Sequence, residues 1–467
     1  MRAPRVGLLP LYIKLYDEID ARIREGFRGF LAEVATLLRK EGVEVTEAPI
    51  CCVRGEFEKA VKGFEKANVD LIATLHIAYS PSGESIDALC ETEIPLLMLD
   101  TTMDYGFGQD VPSARLLYDH GIHGVQDLAA MFRRRGRQFQ IVAGHYKKSD
   151  VIKRAAEIAR AALAARSLRG TKVLRIGRPF ASMDDFAVAP AVLKRQLGIT
   201  MKQIAPEALA PAARAVSEKE IDAEVAADRK LYRVYAPKEC HRRSVRLGLG
   251  IRRYLQGHGF SAFSANFLDF NSKRDPVSVV PFLEASKAMA RGVGYAGEGD
   301  VLTAALTGAL IKGFRTATFA EIFCPDWKGN SLFLSHMGEI NPLVAAARPT
   351  LEEKQYSFSN ALNPAFLSCA PKEGPAVYVN LSPGPDETFR LIAAPVTVMK
   401  DSRRADYRGV VRGWMRPEGT VAEFLEEYSR LGGTHHSVLV LGARMEAVEA
   451  FAAMSEVEFV AVGRGKA

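Results

Sequence analysis

No stretch of the 467-residue chain approaches 18 uninterrupted apolar residues, the length that a membrane-spanning helix needs. The opening residues Met1 to Pro10 lack the long apolar segment and small-residue cleavage site of a secretory signal. Both absences set the expectation of a cytoplasmic protein with no membrane partner. Cysteine is sparse and scattered, at Cys51, Cys52, Cys90, Cys240, Cys324 and Cys369, with no CxxC spacing. That excludes a disulfide framework and reads as reduced, mostly buried thiols. Charge of one sign is scarce as well: 62 Lys and Arg against 55 Asp and Glu leave +7. The short basic run Arg133–Arg135, continued at Arg137, has no interleaved aromatics and reads as a solvated helix end, so no nucleic-acid partner is expected. The remainder is average, 48% hydrophobic and 25% charged, which excludes disordered and collagen-like chains. This length implies two to four domains.

The first part of the chain alternates strand-like and helix-like runs. Val6–Leu11, Val43–Ala48, Leu71–Ile77, Pro95–Leu99 and Gln138–Ala143 are strand candidates; Asp17–Lys40, Phe57–Ala67, Ala114–Arg134 and Asp150–Ala165 have helical periodicity. Such alternation indicates βαβ units and a doubly wound parallel sheet. Arg166–Thr171 reads as a boundary, and a second α/β unit opens with the strand Lys172–Ile176. It continues through helix patterns at Phe186–Gln196, Glu207–Leu231, Lys238–Gly257, Val279–Arg291 and Val301–Lys312, with a strand at Phe260–Ser264. From Thr316 the texture becomes β-rich: Thr316–Phe323, Ser331–His336, Ala376–Val379, Thr388–Val398 and Arg408–Arg416, with one helix at Val421–Leu431. The expected fold is two doubly wound, flavodoxin- or Rossmann-like parallel-sheet domains (1–168 and 169–313) followed by a β-rich, barrel-like domain (314–467).

Four segments carry candidate chemistry. Gly292-Val-Gly-Tyr-Ala-Gly297 matches G-x-G-x-x-G, but it follows a helix pattern and no strand–turn–helix surrounds it, so a dinucleotide site is not expected. Beyond it, Asp300 is a natural helix N-cap, whereas Glu298, between two glycines at the mouth of a helix, is open to a ligand or metal. Glu321 shares a strand face with Phe319 and Phe323 by period two. A carboxylate there is costly unless paired or metal-bound, the alternative being an edge strand with this face in solvent. His336 shares a face with Leu332 and Leu334 and could equally be a satisfied core histidine. In Gly432-Gly-Thr-His-His-Ser437, alternation lets at most one of His435 and His436 join a given site. Two carboxylates with two imidazoles suit Mn²⁺, Fe²⁺, Co²⁺ or Zn²⁺.

In this order the four segments resemble the L-arabinose isomerase family of the wider arabinose/fucose isomerase superfamily. The matching stretches are Gly-Tyr-Ala-Gly-Glu-Gly-Asp around Glu298, Phe-Ala-Glu at Glu321, Ser-His-Met-Gly-Glu-Ile-Asn-Pro from Ser335, and Gly-Gly-Thr-His-His-Ser. The resemblance implies a divalent metal, Mn²⁺ above all, on Glu298, Glu321, His336 and His436, with the two glutamates serving proton transfer. It also implies sugar contacts from His76 and Tyr79, Met183, Met337 and His435. His123 of Ile122-His-Gly124 would reach a neighbouring subunit's site, which makes the protein a homotrimer or homohexamer. The chain departs from the family's Ser-Gln-His-Leu-Tyr-Gly loop, having Leu11-Tyr-Ile-Lys-Leu-Tyr16, and from its Glu-Asp-Tyr, having Glu321-Ile-Phe323. The expected activity is thus a metal-dependent aldose–ketose isomerase working through an enediol, with a rebuilt substrate pocket. A sugar-binding regulator or pseudo-enzyme on the same scaffold, or an epimerase or lyase using the same enediolate, are the alternatives.

Overall fold

In the computed structural model, which describes residues 1–20, 22–402 and 409–463, the chain forms two compact units. One is Arg2–Leu163; the other is Ala164–Ala467 together with Met1. The smaller unit is built on β1 (Arg5–Leu11), β2 (Glu44–Glu47), β3 (Leu71–His76), β4 (Leu96–Asp100) and β5 (Gln140–Ala143), all parallel, in the order β2-β1-β3-β4-β5. Nearly every residue of β1, β3 and β4 is buried, which is why they read as unbroken apolar runs. The strand order reverses between β1 and β3, so their carboxyl ends flank the crevice where doubly wound sheets bind ligands.

Tertiary contacts, not periodicity, set several helix boundaries here. The helix expected over Asp17–Lys40 is instead Lys14–Asp20, Arg22–Gly26 and Arg28–Lys40. At Gly26 a Cβ would lie 2.7 Å from the Tyr118 ring. The run Ala114–Arg134 divides into Leu116–Asp119 and Gly121–Arg134 beside the β3 terminus. A helix at Ser82–Glu91, not read from the sequence, supplies the crossover from β3 to β4, and the helix Val151–Arg169 runs on through most of the expected boundary at Arg166–Thr171.

The larger unit continues with β6 (Lys172–Ile176), β7 (Thr200–Ile204), β8 (Arg233–Val234), β9 (Ala262–Ala265), β10 (Gly294–Gly297), β11 (Ala317–Asp326), β12 (Ser331–Ser335), β13 (Thr350–Glu353), β14 (Ala365–Ser368), β15 (Gly374–Pro383), β16 (Phe389–Val398), β17 (Gly413–Pro417), β18 (His436–Leu441) and β19 (Glu458–Ala461). Its parallel sheet has the order β10-β9-β6-β7. β10 is half glycine and gave no strand signal, yet it leads through a two-residue turn into the helix Val301–Phe314. G-x-G-x-x-G therefore does sit in a strand–turn–helix, contrary to expectation. Gly294 is there because the helix packs directly on the strand: a Cβ would stand 2.1 Å from the Ala304 carbonyl oxygen.

Strands β15-β18-β11-β12-β17-β16 form an antiparallel barrel closed by the pairing of β15 with β16, and β19 adds to β16 from outside. Leu332, Leu334, Tyr378, Ile392, Met415 and Leu439 pack its core, with Phe424 and Tyr428 from the helix Val421–Arg430. A second helix, Met445–Met454, was not expected. The strand expected over Arg408–Arg416 starts outside the described residues, and β17 begins at Gly413. All six cysteines are free thiols, four of them buried. Among the described residues no helix is long and apolar enough to cross a membrane.

Candidate functional site

Glu298 follows β10 directly, with φ of 62°. This left-handed conformation costs a non-glycine residue about 1–3 kcal/mol. It is held from both sides: the Glu298 amide donates to the Ala265 carbonyl at 3.0 Å, and its own carbonyl accepts from the Phe180 amide at 2.9 Å. Two residues on, Asp300 caps the following helix, one carboxylate oxygen accepting from the Thr303 amide at 2.8 Å.

The barrel register supplies the other groups. Glu321 on β11 lies opposite His436 on β18 and opposite Ser335 on β12, and His336 follows Ser335 directly. β11 is paired on both edges, so the edge-strand alternative for Glu321 is ruled out. A β-bulge between Ile322 and Cys324 breaks the period that was expected to align Phe323 with Glu321; Phe323 is 48% exposed, while Phe319 is buried. His435 precedes β18, so strand alternation does not govern it. Both imidazoles of the pair turn to one side, their ring centroids 4.2 Å apart and each Nε2 3.4 Å from Glu298 Oε2. The expectation that only one of the two could join the site is corrected accordingly.

Each imidazole is fixed through Nδ1 by a carboxylate: His436 by Asp300 at 3.0 Å, His336 by Glu339 at 2.8 Å and His435 by Asp185 at 2.7 Å. A carboxylate only accepts, so each Nδ1 carries the proton and each Nε2 turns inward. Rings are also held by packing, Phe186 stacking on His436 at 5.3 Å and Phe319 meeting His336 and His436 edge-on. Gly297 makes room, since a Cβ there would lie 2.5 Å from His336 Cε1. His436 Nε2 is buried and makes no hydrogen bond. Donor atoms of Glu321, His336 and His436 lie within 4.8 Å of one another, as do those of Glu298, His435 and His436. A buried imidazole nitrogen without a hydrogen bond, facing inward-turned carboxylate and imidazole donors whose outer nitrogens are already bound to carboxylates, is an arrangement that fits a divalent cation.

The two glutamates are driven apart electrostatically. Burial acts to raise Glu298, but its contacts with His435 and His436 outweigh this and hold it well below the usual carboxylate range. Burial dominates at Glu321, whose pKa is raised despite the nearby imidazoles. Burial opposes the charged form of both histidines of the pair. Even so, Asp300 and Glu298 push His436 up to about 9, and Asp185 and Glu298 push His435 up to about 10.

Of the other residues singled out from the sequence, Met337 is half-buried next to His336, and half-buried Met183 sits on the β6 loop that also carries Asp185. His76, Tyr79 and His123 meet in the smaller unit. Tyr79 stacks on His123 at 4.7 Å, and His76 is buried at the β3 terminus against Gly124. Sequence reasoning missed Asp185, Glu339 and the second bond of Asp300. For Glu339 the three-residue spacing from His336 was a usable signal; Asp185 lies 250 positions from its partner and had none.

Fold and site together define an enzyme-like chain with a carboxylate–imidazole centre placed by a parallel sheet and an antiparallel barrel. The family model for the L-arabinose isomerase central domain matches residues 182–313, and that for the L-arabinose isomerase C-terminal domain matches residues 316–458. Curated relatives include the L-arabinose isomerase of Geobacillus kaustophilus, 28% identical over 84% of this chain and 80% of its own length. Those of Anoxybacillus flavithermus (29%, over the same shares) and Shouchella clausii (27%, over 98% of this chain and 93% of the relative) are similar in the same degree. The chain is a divergent member of the L-arabinose isomerase family.

Proposed function

We propose that the protein is a metal-dependent sugar isomerase that interconverts an aldose and its ketose. The observation that carries this reading is a pair of donor groups that share His436, Glu298 with His435 and His436 and Glu321 with His336 and His436, around a buried imidazole nitrogen that makes no hydrogen bond among the described residues. Glu298, Glu321, His336 and His436 would hold Mn²⁺ or another divalent cation such as Co²⁺, Fe²⁺ or Zn²⁺. When bound, the cation supplies fixed positive charge for the negative charge that develops as a carbon-bound proton leaves.

The chain's own residues account for the rest. Isomerisation moves one proton from carbon two to carbon one and one from oxygen to oxygen, with no net change in composition. Glu321, whose proton affinity is raised by burial, suits the shuttle role, taking the proton at a carboxylate oxygen and returning it. Glu298, kept ionised by two imidazoles, provides standing negative charge on the opposite side. The Phe186 and Phe319 rings pack on His436, whose imidazole is fully buried. The replaced Leu11–Tyr16 stretch supports a sugar other than L-arabinose as the preferred substrate. The reading includes a homotrimer or homohexamer in the cytoplasm, with His123 of one copy serving a neighbour's site.

Purified protein should convert at least one member of a pentose, hexose and tetrose panel to its ketose with Mn²⁺, and lose that activity on chelation. Light scattering should give a mass of three or six chains. Metal binding with no ketose from any sugar would favour a sugar-binding regulator; failure to take up any divalent ion at micromolar levels would remove the isomerase reading.

A further inference from the structure

The loop from Gly177 to Ala189, between β6 and the helix Pro190–Leu197, is fastened to the site at three points. The Phe180 amide donates to the Glu298 carbonyl, Phe186 stacks on His436, and the Asp185 carboxylate receives both the His435 backbone amide at 3.1 Å and His435 Nδ1 at 2.7 Å. Asp185 takes no hydrogen bond from the loop's own helix and caps nothing. Its one carboxylate oxygen binds two groups of a single residue, which fixes both the position and the ring orientation of His435. The other ring nitrogen, Nε2, is thereby aimed at Glu298 Oε2, the same oxygen that faces His436 Nε2.

We infer that Asp185 is a positioning residue: through His435 it clamps the carboxylate of Glu298 in the orientation in which that group faces the cation. The inference rests on the metal-dependent reading above. Glu298 sits on a strained turn, and its Oε2 faces His435 Nε2 and His436 Nε2 at 3.4 Å each, so the placement of His435 bears directly on the orientation of that carboxylate. His435 is part-exposed and would turn away without its anchor. Outer partners of this kind are worth about 10–100-fold in metal affinity.

The test uses the full chain, in wild-type form and as Asp185→Ala, Asp185→Asn, His435→Ala and the double variant. Calorimetric Mn²⁺ titration of metal-free protein gives the affinity, and diethyl pyrocarbonate labelling mapped by mass spectrometry gives the accessibility of His435. Asp185→Ala should weaken Mn²⁺ binding about 10-fold or more and raise His435 labelling several-fold. Asp185→Asn, which keeps an acceptor oxygen, should recover most of both. Because Asp185 acts through His435, the double variant should bind Mn²⁺ as His435→Ala does. Unchanged labelling and affinity in Asp185→Ala would overturn the inference, and so would a double variant weaker than His435→Ala by the full Asp185 effect. If wild-type protein takes up no Mn²⁺, the isomerase reading fails, while the labelling arm still decides whether Asp185 holds His435.

Discussion

In the larger unit every imidazole of the site faces a carboxylate: His436 faces Asp300, His336 faces Glu339 and His435 faces Asp185. In the smaller unit, among the described residues, His76, His120 and His123 make no hydrogen bond to a carboxylate. His76 is 2% exposed with neither ring nitrogen hydrogen-bonded among the described residues, and His120 bonds His123 and the Tyr16 hydroxyl, each at 3.1 Å. The same side chain is therefore driven in opposite directions. Burial pushes His76 down to about 3 and lowers His120, whereas the carboxylates carry His435 and His436 up to about 10 and about 9. A cluster of imidazoles is not by itself a cation site. Among the described residues, groups of donors close enough for a metal occur only where carboxylates join the histidines.

The sharpest way to break this contrast is to neutralise the glutamates. At saturating Mn²⁺, Glu321→Gln should lower turnover about 10²–10⁴-fold, the loss expected of a general acid–base, alongside the weaker metal binding that follows when an amide oxygen replaces a ligand carboxylate. Glu298→Gln should weaken metal binding too but keep more turnover at saturating Mn²⁺, separating the shuttle from the standing charge. Steady-state rates alongside Mn²⁺ titrations check both, and near wild-type turnover in Glu321→Gln would refute the shuttle.

Next in size is Asp300→Asn. The cap alone would tolerate it, because Asn caps about as well as Asp. However, the second oxygen of Asp300 receives His436 Nδ1. With the amide oxygen retained at the cap, an NH₂ group would face Nδ1, favour the other tautomer and place a hydrogen on Nε2. Mn²⁺ affinity should fall about 10–100-fold, and metal-free protein should lose part of the Tm that the buried Asp300–His436 pair supplies at neutral pH, as calorimetry and a thermal scan would show.

The opposite shifts predict opposite pH windows. His76 has a lowered pKa in the folded state, so the unfolded chain binds more protons as pH falls below about 6.5, and stability is lost on acidification. His76→Gln should remove about 2 kcal/mol of the stability loss between pH 7 and pH 5. His435 and His436 have raised pKa values. Their contribution is complete below about 6.5 and is lost as pH rises through 9 to 10, so metal-free protein should lose Tm in that alkaline range. Differential scanning calorimetry across pH decides both. The smallest effect belongs to His123→Ala. His123 is exposed, so Tm should shift by less than about 0.5 kcal/mol equivalent. A drop in turnover at unchanged stability would then point to a role at a neighbouring copy's site.

The elements most legible in the sequence were those whose burial is complete or periodic. β1 and β3 lie within a residue or two of the apolar runs that announced them, and the half-buried helix Lys238–His258 matches the amphipathic pattern that marked it. Less legible were β10, where glycines erase the hydrophobic signal, and β7, whose Lys202 and Gln203 face solvent. For the site, the sequence by itself determined which donors were available: residue types and local motifs marked Glu298, Glu321, His336 and His436, because each is anomalous where it stands. Tertiary structure alone decided how they are used. Barrel register set Glu321 beside His436, the late start of β18 freed His435 to join its neighbour, and the β6 loop brought Asp185 across 250 positions to hold it. Such pairings depend on distances between segments that no local pattern encodes, so the electrostatics that set the carboxylate-bound imidazoles apart from the neutral ones became visible only in the folded chain.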